Sequence, residues 1–366
     1  MSKLSNSGIR IRLMNSDSSK KSPVIMRRTS AGMSIILNRK EALNSLTLEM
    51  VRLIAGYLHE AQTDDECRLV LFYGLGEMGF CAGGDIKHIA RCVQSDNMEE
   101  INQFFLEEYD LDLMIHQFPK PVIVIADGVT MGGGLGIASG ADWVVATERT
   151  RMAMPETRIG FFPDIGATGW MYSKCPQGYP EYLGLTSFEM KGSECVRVSF
   201  ATHLTHSNML DDLIQAIETF KTEGISSPKE LLPLLMRDLK IYLDRNIPPR
   251  PEIDTWVKEY FAGRTSLQEI IDSLKVCHIL LSPCEGITSG LSERSPTALA
   301  LTLKLLRHNE HLPMKKVYEA DFRAMQFIIR HPDFREGIRA RLVDKDNQPR
   351  WQPDSIDKVD LSDLRL

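Results

Sequence analysis

The chain has 366 residues, of which 43% are hydrophobic and 25% are charged, and its formal net charge is −6. This composition is typical of a folded globular protein, and the acidic balance argues against a nucleic-acid partner, whose binding would require a basic surface. No apolar run approaches the roughly 20 residues of a membrane span, so the sequence also predicts no membrane partner.

Residues 1–21 are polar and lack the apolar core of a signal peptide. They predict a flexible tail, and their arginines and serines leave a transit peptide as the alternative. The expected location is therefore cytoplasmic, or the mitochondrial matrix if the tail is a transit peptide. The seven cysteines are scattered, without a CxxC or a zinc-like spacing, so we predict free thiols and no metal site.

The first elements in chain order are a hairpin, a helix and a buried strand. Residues 23–38 alternate weakly and predict a hairpin that turns at Ala31 and Gly32. Thr47 precedes apolar residues at helical spacing and is expected to cap a helix. Residues 68–73 form an apolar run that predicts a buried strand.

A GxGxxG pattern at residues 74–79 follows that strand. A dinucleotide site requires a helix that opens within the glycines, and here the chain continues to Asp85 before a helix can begin. We therefore reject a nucleotide site. Gly83 and Gly84, just before the predicted cap Asp85, are instead candidates for exposed backbone N–H donors.

The middle of the chain alternates between helices and strands. Residues 97–118 predict a helix, and the apolar runs 122–126 and 143–146 predict buried strands. Between these strands, five glycines lie within residues 128–136 and lead into an apolar helix, whose start would offer further free N–H groups. This alternation predicts an α/β fold with stacked sheets and crossover helices.

Beyond residue 207 the predicted strands stop, and the polar residues from 344 onward predict a tail. The predicted helices of this part are 210–220, 228–239, 253–261, 267–280, 296–306 and 315–329. We therefore divide the chain into the tail 1–21, a core 22–206 and a helical region 207–366.

Two acids follow the glycine-rich stretch, Glu156 and Asp164, each in turn-rich sequence between apolar residues. No GxSxG, HExxH or phosphate-binding GxxxxGK[ST] pattern occurs, so carboxylates are the candidate reactive groups. Backbone N–H donors together with two semi-buried acids suit chemistry at a carbonyl group. The alternative for Glu156 is an ion pair with Arg158 or Arg151, and the alternative for Asp164 is a turn residue.

The motifs FCAGGDIK (80–87) and DGVTMGGGLG (127–136) resemble those of the enoyl-CoA hydratase/isomerase (crotonase) superfamily. MPETRIGFFPDIG (154–166), EEY (107–109) and residues 334–353 are similar more closely to the 3-hydroxyisobutyryl-CoA hydrolases, and the resemblance extends from about residue 24 to 353. It implies a crotonase-like ββα spiral core followed by a C-terminal helical region. It also implies hydrolysis of 3-hydroxyisobutyryl-CoA to 3-hydroxyisobutyrate and CoA, a step of valine catabolism.

The resemblance also assigns roles to residues. The amides of Gly84 and Gly133 would form the oxyanion hole, Glu156 would be the catalytic glutamate with Asp164 beside it, and Glu108 would contact the substrate. Gly133, Glu156 and Asp164 would likewise contact the substrate. The alternative for Glu108 is a solvated helix face. Coenzyme A belongs to the substrate, and no cofactor is implied. Relatives often form trimers, so a homo-oligomer is compatible with the resemblance, although the C-terminal helices could cover the trimer face.

Gly136 stands where the hydratases carry the first of two glutamates, so the pair needed for hydration is incomplete and hydrolysis is favoured. The alternatives are an enoyl-CoA hydratase or isomerase, and a non-catalytic acyl-CoA-binding protein of the same fold. Asp127, Ala167 and Thr168 depart from the pattern of the hydrolases. We expect these three residues near the acyl pocket, where they could alter the acyl group accepted.

Overall fold

The chain forms two β-sheets surrounded by helices, and the computed structural model describes residues 22–225, 227–275 and 284–366. The predicted tail 1–21 lies outside the described residues. The strands are β1 (Val24–Arg28), β2 (Gly32–Leu37), β3 (Leu69–Gly74), β4 (Gly79–Cys81), β5 (Val122–Ala126), β6 (Val129–Met131), β7 (Trp143–Ala146), β8 (Arg151–Ala153), β9 (Met190–Lys191), β10 (His203–Thr205) and β11 (Leu243–Asp244). The helices are α1 (Leu48–Thr63), α2 (Ile86–Gln94), α3 (Met98–His116), α4 (Gly133–Ser139), α5 (Ala167–Lys174), α6 (Tyr179–Thr186), α7 (Ser193–Arg197), α8 (Leu210–Glu218), α9 (Pro228–Leu239), α10 (Pro251–Phe261), α11 (Leu267–Lys275), α12 (Cys284–Ser292), α13 (Pro296–Asn309), α14 (Met314–Ile328) and α15 (Pro332–Ile338).

The larger sheet has the order β1-β2-β3-β5-β7-β10-β11, and its strands from β2 to β10 run parallel. The edge strands β1 and β11 pair antiparallel with their neighbours. The smaller sheet has the order β4-β6-β8-β9, with only β9 antiparallel. The consecutive pairs β3–β4, β5–β6 and β7–β8 each contribute one strand to each sheet. The predicted ββα spiral of an α/β protein is therefore confirmed.

The two predicted helix-capping residues, Thr47 and Asp85, are confirmed. The Thr47 hydroxyl accepts a hydrogen bond from the Met50 amide at 3.2 Å, and the Asp85 carboxylate accepts one from the His88 amide at 3.2 Å. The predicted hairpin is the β1–β2 pair, whose connecting turn includes Ala31. The short strands β4, β6 and β8 were not predicted, since three residues are too few to show a strand period.

Two predictions about the C-terminal region were wrong. Strands do not stop at residue 207, because β11 extends the larger sheet by pairing with β10. The last residues do not form a free tail either: the Trp351 indole N–H donates to the Glu293 carbonyl at 2.9 Å, and Leu364 is buried. Both errors arise because these contacts join segments far apart in sequence. The end of the predicted helix 267–280 lies outside the described residues beyond residue 275.

The C-terminal helices pack directly on the spiral core. Phe334 of α15 contacts Phe161 with ring centroids 5.4 Å apart, and α14 packs against α3. These contacts place side chains of the C-terminal helices beside the glycine-rich segments. The predicted domain division between residues 206 and 207 stays a prediction. No helix in the part of the chain described by the structure has the length and apolar character to cross a membrane.

Candidate active site

A cavity of about 900 Å³ lies where the two glycine-rich segments meet. It is lined by Gly84, Gly132 and Gly133 from these segments and by residues of α2, α3 and the C-terminal region. The three candidate acids line it as well, namely Glu108, Glu156 and Asp164. The structure therefore brings all five candidate site residues of the sequence analysis to one cavity.

Gly84 and Gly133 lie at the starts of two helices. Gly133 is the first residue of α4, so its N–H has no acceptor within that helix. Gly84 precedes the cap Asp85, which also accepts a hydrogen bond from Arg39 at 2.6 Å. The segments approach closely: a Cβ on Gly83, whose φ is +96°, would lie 3.4 Å from the Gly133 nitrogen. Both backbone segments therefore require glycine, and together they can present two N–H donors to one oxygen.

Glu156 begins a short 3₁₀ helix (Glu156–Ile159) and faces the second glycine segment. A Cβ on Gly132 would lie 3.1 Å from Glu156 Oε1. The residue is 8% exposed, and its Oε2 is buried without a hydrogen-bond partner in the described structure. Burial, with smaller contributions from Asp164 and Glu108, raises the pKa of Glu156 well above its usual value. This environment gives a basic carboxylate beside the amide donors.

Neither arginine proposed as the alternative partner of Glu156 pairs with it. Arg151 forms an ion pair with Glu189 at 2.7 Å, and Arg158 donates to the Ser187 carbonyl at 3.2 Å. Within residues 22–225, 227–275 and 284–366, no ion pair involves Glu156. The carboxylate is thus free to act on a ligand.

Asp164 is buried and hydrogen-bonded rather than a plain turn residue. Its Oδ2 accepts a hydrogen bond from the Tyr109 hydroxyl at 2.7 Å. Burial raises the pKa of Asp164 to about 7, against the opposing effect of the Tyr109 hydroxyl. The following residue, Ile165, has a φ of +52°, and its carbonyl accepts from Tyr318 at 3.1 Å. The C-terminal helix α14 therefore holds the turn that carries this acid.

Glu108 lies on the buried face of α3, so the solvated-face alternative is wrong. It is 2% exposed, and a Cβ on Gly133 would lie 2.2 Å from Glu108 Oε1. Burial, followed by repulsion from Asp164, raises the pKa of Glu108 well above its usual value. Its neighbour Glu107 points outward and pairs with Arg52 at 2.6 Å. Only glycine at position 133 leaves room for this carboxylate against the start of α4.

Asp112, one helical turn after Glu108, occupies the space next to Gly136. A Cβ on Gly136 would lie 2.3 Å from Asp112 Oδ2. Asp112 is fully buried, neither carboxylate oxygen has a hydrogen-bond partner in the described structure, and its pKa is raised mainly by burial. The position where the hydratases carry their first glutamate is therefore both unsubstituted and sterically filled. The sequence signal for this acid was the helical spacing of four residues from Glu108.

The three departures from the hydrolase pattern are not among the residues that line the cavity, and their expected place near the acyl pocket stays a prediction. Asp127 instead pairs with Arg149, and the Thr168 hydroxyl accepts from the Asn309 side chain at 2.8 Å. Both are drawn into packing contacts that join distant parts of the chain. Phe105, Phe161 and Phe334 form the apolar wall, with Phe105 and Phe161 stacked at 5.3 Å.

Among the described residues, one group could hold a metal: atoms of His88, Cys92 and Glu100 lie within 4.8 Å of one another. None of the three lines the cavity, and His88 and Glu100 already form an ion pair at 2.9 Å. The expectation of no metal stays a prediction.

A ββα spiral in which two glycine segments offer amide donors beside a buried glutamate is the architecture of crotonase-fold proteins. The chain belongs to the enoyl-CoA hydratase/isomerase family, because the sequence model of this family matches residues 33–365. It is similar to proteins named 3-hydroxyisobutyryl-CoA hydrolase, mitochondrial. The protein from Danio rerio is 34% identical over 92% of this chain and 86% of the relative. The one from Homo sapiens is 33% identical over 93% and 87%.

Solved structures show the same fold. A carnitinyl-CoA dehydratase from Mycobacterium thermoresistibile matches with a TM-score of 0.83 and 30% identity, covering 93% of this chain and 95% of that chain. An enoyl-CoA hydratase from Rhodobacter sphaeroides 2.4.1 matches with a TM-score of 0.81 and 30% identity, covering 94% and 96%. Since the named activities differ among similar proteins, the residues of the cavity must decide between them.

Proposed function

We propose that this protein hydrolyses 3-hydroxyisobutyryl-CoA to 3-hydroxyisobutyrate and CoA. The names of the curated relatives support this substrate. The observation that carries the reaction type is the cavity itself, in which one buried glutamate, Glu156, faces two backbone donors while Gly136 is filled by Asp112. Thioester hydrolysis needs a single base or nucleophile beside an oxyanion hole, which this arrangement supplies.

In this proposal the thioester oxygen accepts hydrogen bonds from the N–H groups of Gly84 and Gly133. Negative charge develops on that oxygen as the carbonyl carbon is attacked, and donors fixed by the backbone need no rearrangement to stabilise it. Loss of one such donor typically costs about 3–4 kcal/mol of transition-state stabilisation. The glycines at 83 and 132 allow the close approach that aims these donors together.

Glu156 then acts either as a base that takes a proton from water or as a nucleophile that forms an acyl-enzyme anhydride. Both routes need the ionised carboxylate, and the burial that raises its pKa makes this carboxylate a stronger base and nucleophile once it is ionised. Water cleaves the C–S bond overall, with the acyl group leaving as a carboxylic acid and the sulfur leaving as the CoA thiol. Asp164, held by Tyr109, would orient water or the substrate hydroxyl.

Glu108 would recognise the hydroxyl of the acyl group. Its Oε1 is buried without a hydrogen-bond partner in the described structure and lies over Gly133, next to the proposed thioester site. A buried acceptor of this kind discriminates against a ligand that lacks the matching hydroxyl, because the acceptor then stays unpaired. A 3-hydroxyacyl group is therefore favoured over a plain acyl group.

An enoyl-CoA hydratase is the second candidate, supported by the similarity to the enoyl-CoA hydratase from Rhodobacter sphaeroides 2.4.1. The cavity opposes it, since no carboxylate extends from position 136. A non-catalytic acyl-CoA-binding role is opposed by the three buried acids that line the cavity.

We also propose that no cofactor is required and that the enzyme works in the mitochondrial matrix, as the names of the relatives suggest. A homo-oligomer remains part of the proposal.

The test is thiol release from 3-hydroxyisobutyryl-CoA and isobutyryl-CoA, run beside the absorbance change of crotonyl-CoA on hydration. We expect kcat/KM for the hydroxylated ester to exceed that for isobutyryl-CoA by at least about tenfold, the cost of leaving one buried hydrogen-bonding group unpaired. We also expect hydration to be slower than hydrolysis. Hydration as fast as hydrolysis would refute the proposed reaction type, and equal kcat/KM values would refute the proposed substrate.

A further inference from the structure

Three arginines, Arg158, Arg294 and Arg341, line the cavity that also contains Glu156. We call them the arginine cluster. Arg158 lies in the 3₁₀ helix that begins at Glu156, Arg294 lies two residues before the start of α13, and Arg341 lies in a π-helical turn (Arg339–Val343) near the C-terminus. None of the roles assigned above uses them.

Arg294 is a buried guanidinium with very few partners. The residue is 7% exposed, and its Nε is buried without a hydrogen-bond partner in the described structure. One Nη donates to the Thr186 carbonyl at 3.5 Å, and the other lies 4.0 Å from the Glu293 carboxylate. Both distances are long for contacts meant to neutralise a buried charge.

The other two arginines bring no further carboxylate to the cluster in the described structure. Arg341 lies 3.8 Å from the same Glu293, donates to the Asn347 side chain at 3.0 Å, and also has a buried Nε without a partner in the described structure. Arg158 donates only to a backbone carbonyl among the described residues. Arg294 and Arg341 therefore share one carboxylate, that of Glu293, whose side chain is 64% exposed, and Arg158 has no carboxylate partner in the described structure.

This arrangement is unfavourable for the protein without a ligand. Burial, followed by repulsion from Arg158 and Arg341, lowers the pKa of Arg294 to about 10. Elsewhere the fold provides partners: Arg307 contacts the buried carboxylate of Glu181. A guanidinium held in a cavity wall with no adequate counter-charge is a site prepared for an anion.

We propose that the arginine cluster binds an anionic group of the CoA ester, supplied by a phosphate of coenzyme A or by a carboxylate on the acyl group. Guanidinium groups match both, because their paired N–H groups donate to two oxygens at once. A phosphate is the expected source, since every CoA ester carries phosphates. This proposal adds a binding role to the proposed function, and it depends on that function only because it assumes a CoA ester as the ligand.

The test measures binding of CoA, 3′-dephospho-CoA and pantetheine by calorimetry. Arg294→Met and Arg341→Met remove members of the cluster, and Arg237→Met is the matched control because Arg237 is exposed and pairs with its neighbour Asp238. We expect each cluster variant to weaken CoA binding by about tenfold to a hundredfold and to leave pantetheine binding unchanged. The control should change either affinity by no more than about twofold.

The truncated ligands identify the source of the anion. A defect that disappears with 3′-dephospho-CoA assigns the 3′-phosphate, and a defect that persists with it assigns the diphosphate. A defect seen only with a pantetheine thioester that carries an acyl carboxylate, and not with its neutral counterpart, assigns the acyl group. Unchanged affinity for all these ligands, or an equal loss for CoA and neutral pantetheine, would overturn the proposal.

Thermal unfolding separates ligand binding from a structural role. Because Arg294 is an inadequately paired buried charge, Arg294→Met should raise the Tm of the ligand-free protein while reducing the increase in Tm that CoA causes. A lower Tm combined with loss of pantetheine binding would overturn the proposal. CoA binding requires no turnover, so wild-type protein that binds CoA through Arg294 but releases no thiol would refute the hydrolase and leave the anion site standing.

Discussion

Replacing Asp164 with asparagine removes a carboxylate whose ionisation the folded protein resists. Asp164 is 5% exposed, and burial raises its pKa from 3.8 to about 7. Keeping it ionised in the folded protein costs at most about 4 kcal/mol relative to the unfolded chain. Asparagine has nearly the same shape, and its side-chain oxygen can still accept the hydrogen bond from Tyr109, so the change isolates the charge.

The sign of the effect follows from proton binding. Below pH 4 both folded and unfolded wild-type chains hold the proton, and the variant has little advantage. Between about pH 4 and pH 7 the unfolded chain loses the proton first, so wild-type stability falls as the pH rises. Above about pH 7 the penalty is constant. Asp164→Asn should therefore become more stable than wild type as the pH rises, by up to about 4 kcal/mol at pH 8.

Urea unfolding at pH 4, 6 and 8, followed by tryptophan fluorescence, measures this difference in free energy of unfolding. Asp212→Asn on α8 is the matched control, because Asp212 is exposed and its replacement should change stability by no more than about 0.5 kcal/mol at each pH. The same Asp164→Asn protein should lose thiol release. A stability difference that does not vary with pH, or a variant less stable than wild type at pH 8, would refute the reasoning.

Three further substitutions test other parts of the cavity. Glu156→Gln should lower thiol release at least about a hundredfold while calorimetry shows retained CoA binding; more than a tenth of the wild-type rate would contradict its assignment. Glu108→Ala should reduce the kcat/KM preference for 3-hydroxyisobutyryl-CoA over isobutyryl-CoA, and an unchanged preference would remove its hydroxyl-binding role. Gly136→Glu should destabilise the protein by about 1–3 kcal/mol in urea, since the new side chain meets Asp112, without producing crotonyl-CoA hydration. Wild-type stability or rapid hydration in this variant would contradict the steric argument.

Much of the spiral core could be predicted because its signals are local. The apolar run of β5 marks a strand buried along its whole length, and Thr47 and Asp85 mark helix starts through their own side chains. The glycine segments were recognisable because close backbone approach permits no other residue. What local sequence could not give were the short strands of the smaller sheet, which exist only through pairing with distant strands.

Site residues that belong to a sequence motif could be predicted. For residues on a helix, the sequence alone did not show which side chain faces the cavity. Glu107 and Glu108 are adjacent acids on α3, and neighbouring positions on a helix point about 100° apart, so sequence allowed either one to face the core. The structure buries Glu108 and exposes Glu107. The contact of Asp112 with Gly136 joins two helices and could not be predicted from local sequence. The arginine cluster likewise brings together residues as distant in sequence as Arg158 and Arg341.

The cavity keeps Glu156 unpaired and Arg294 weakly paired, although an ion pair between an acid and an arginine would relieve both. Arg39 and Asp85, in the same wall, form an ion pair at 2.6 Å, so the fold can pair charges there. An arginine beside Glu156 would favour the ionised carboxylate, lower its pKa and weaken it as a base. An acid beside Arg294 would occupy the donors that the proposed anion needs. Leaving Glu156 unpaired and Arg294 weakly paired costs stability in the empty protein, and that cost is recovered only when one ligand offers a carbonyl to the first and an anion to the second.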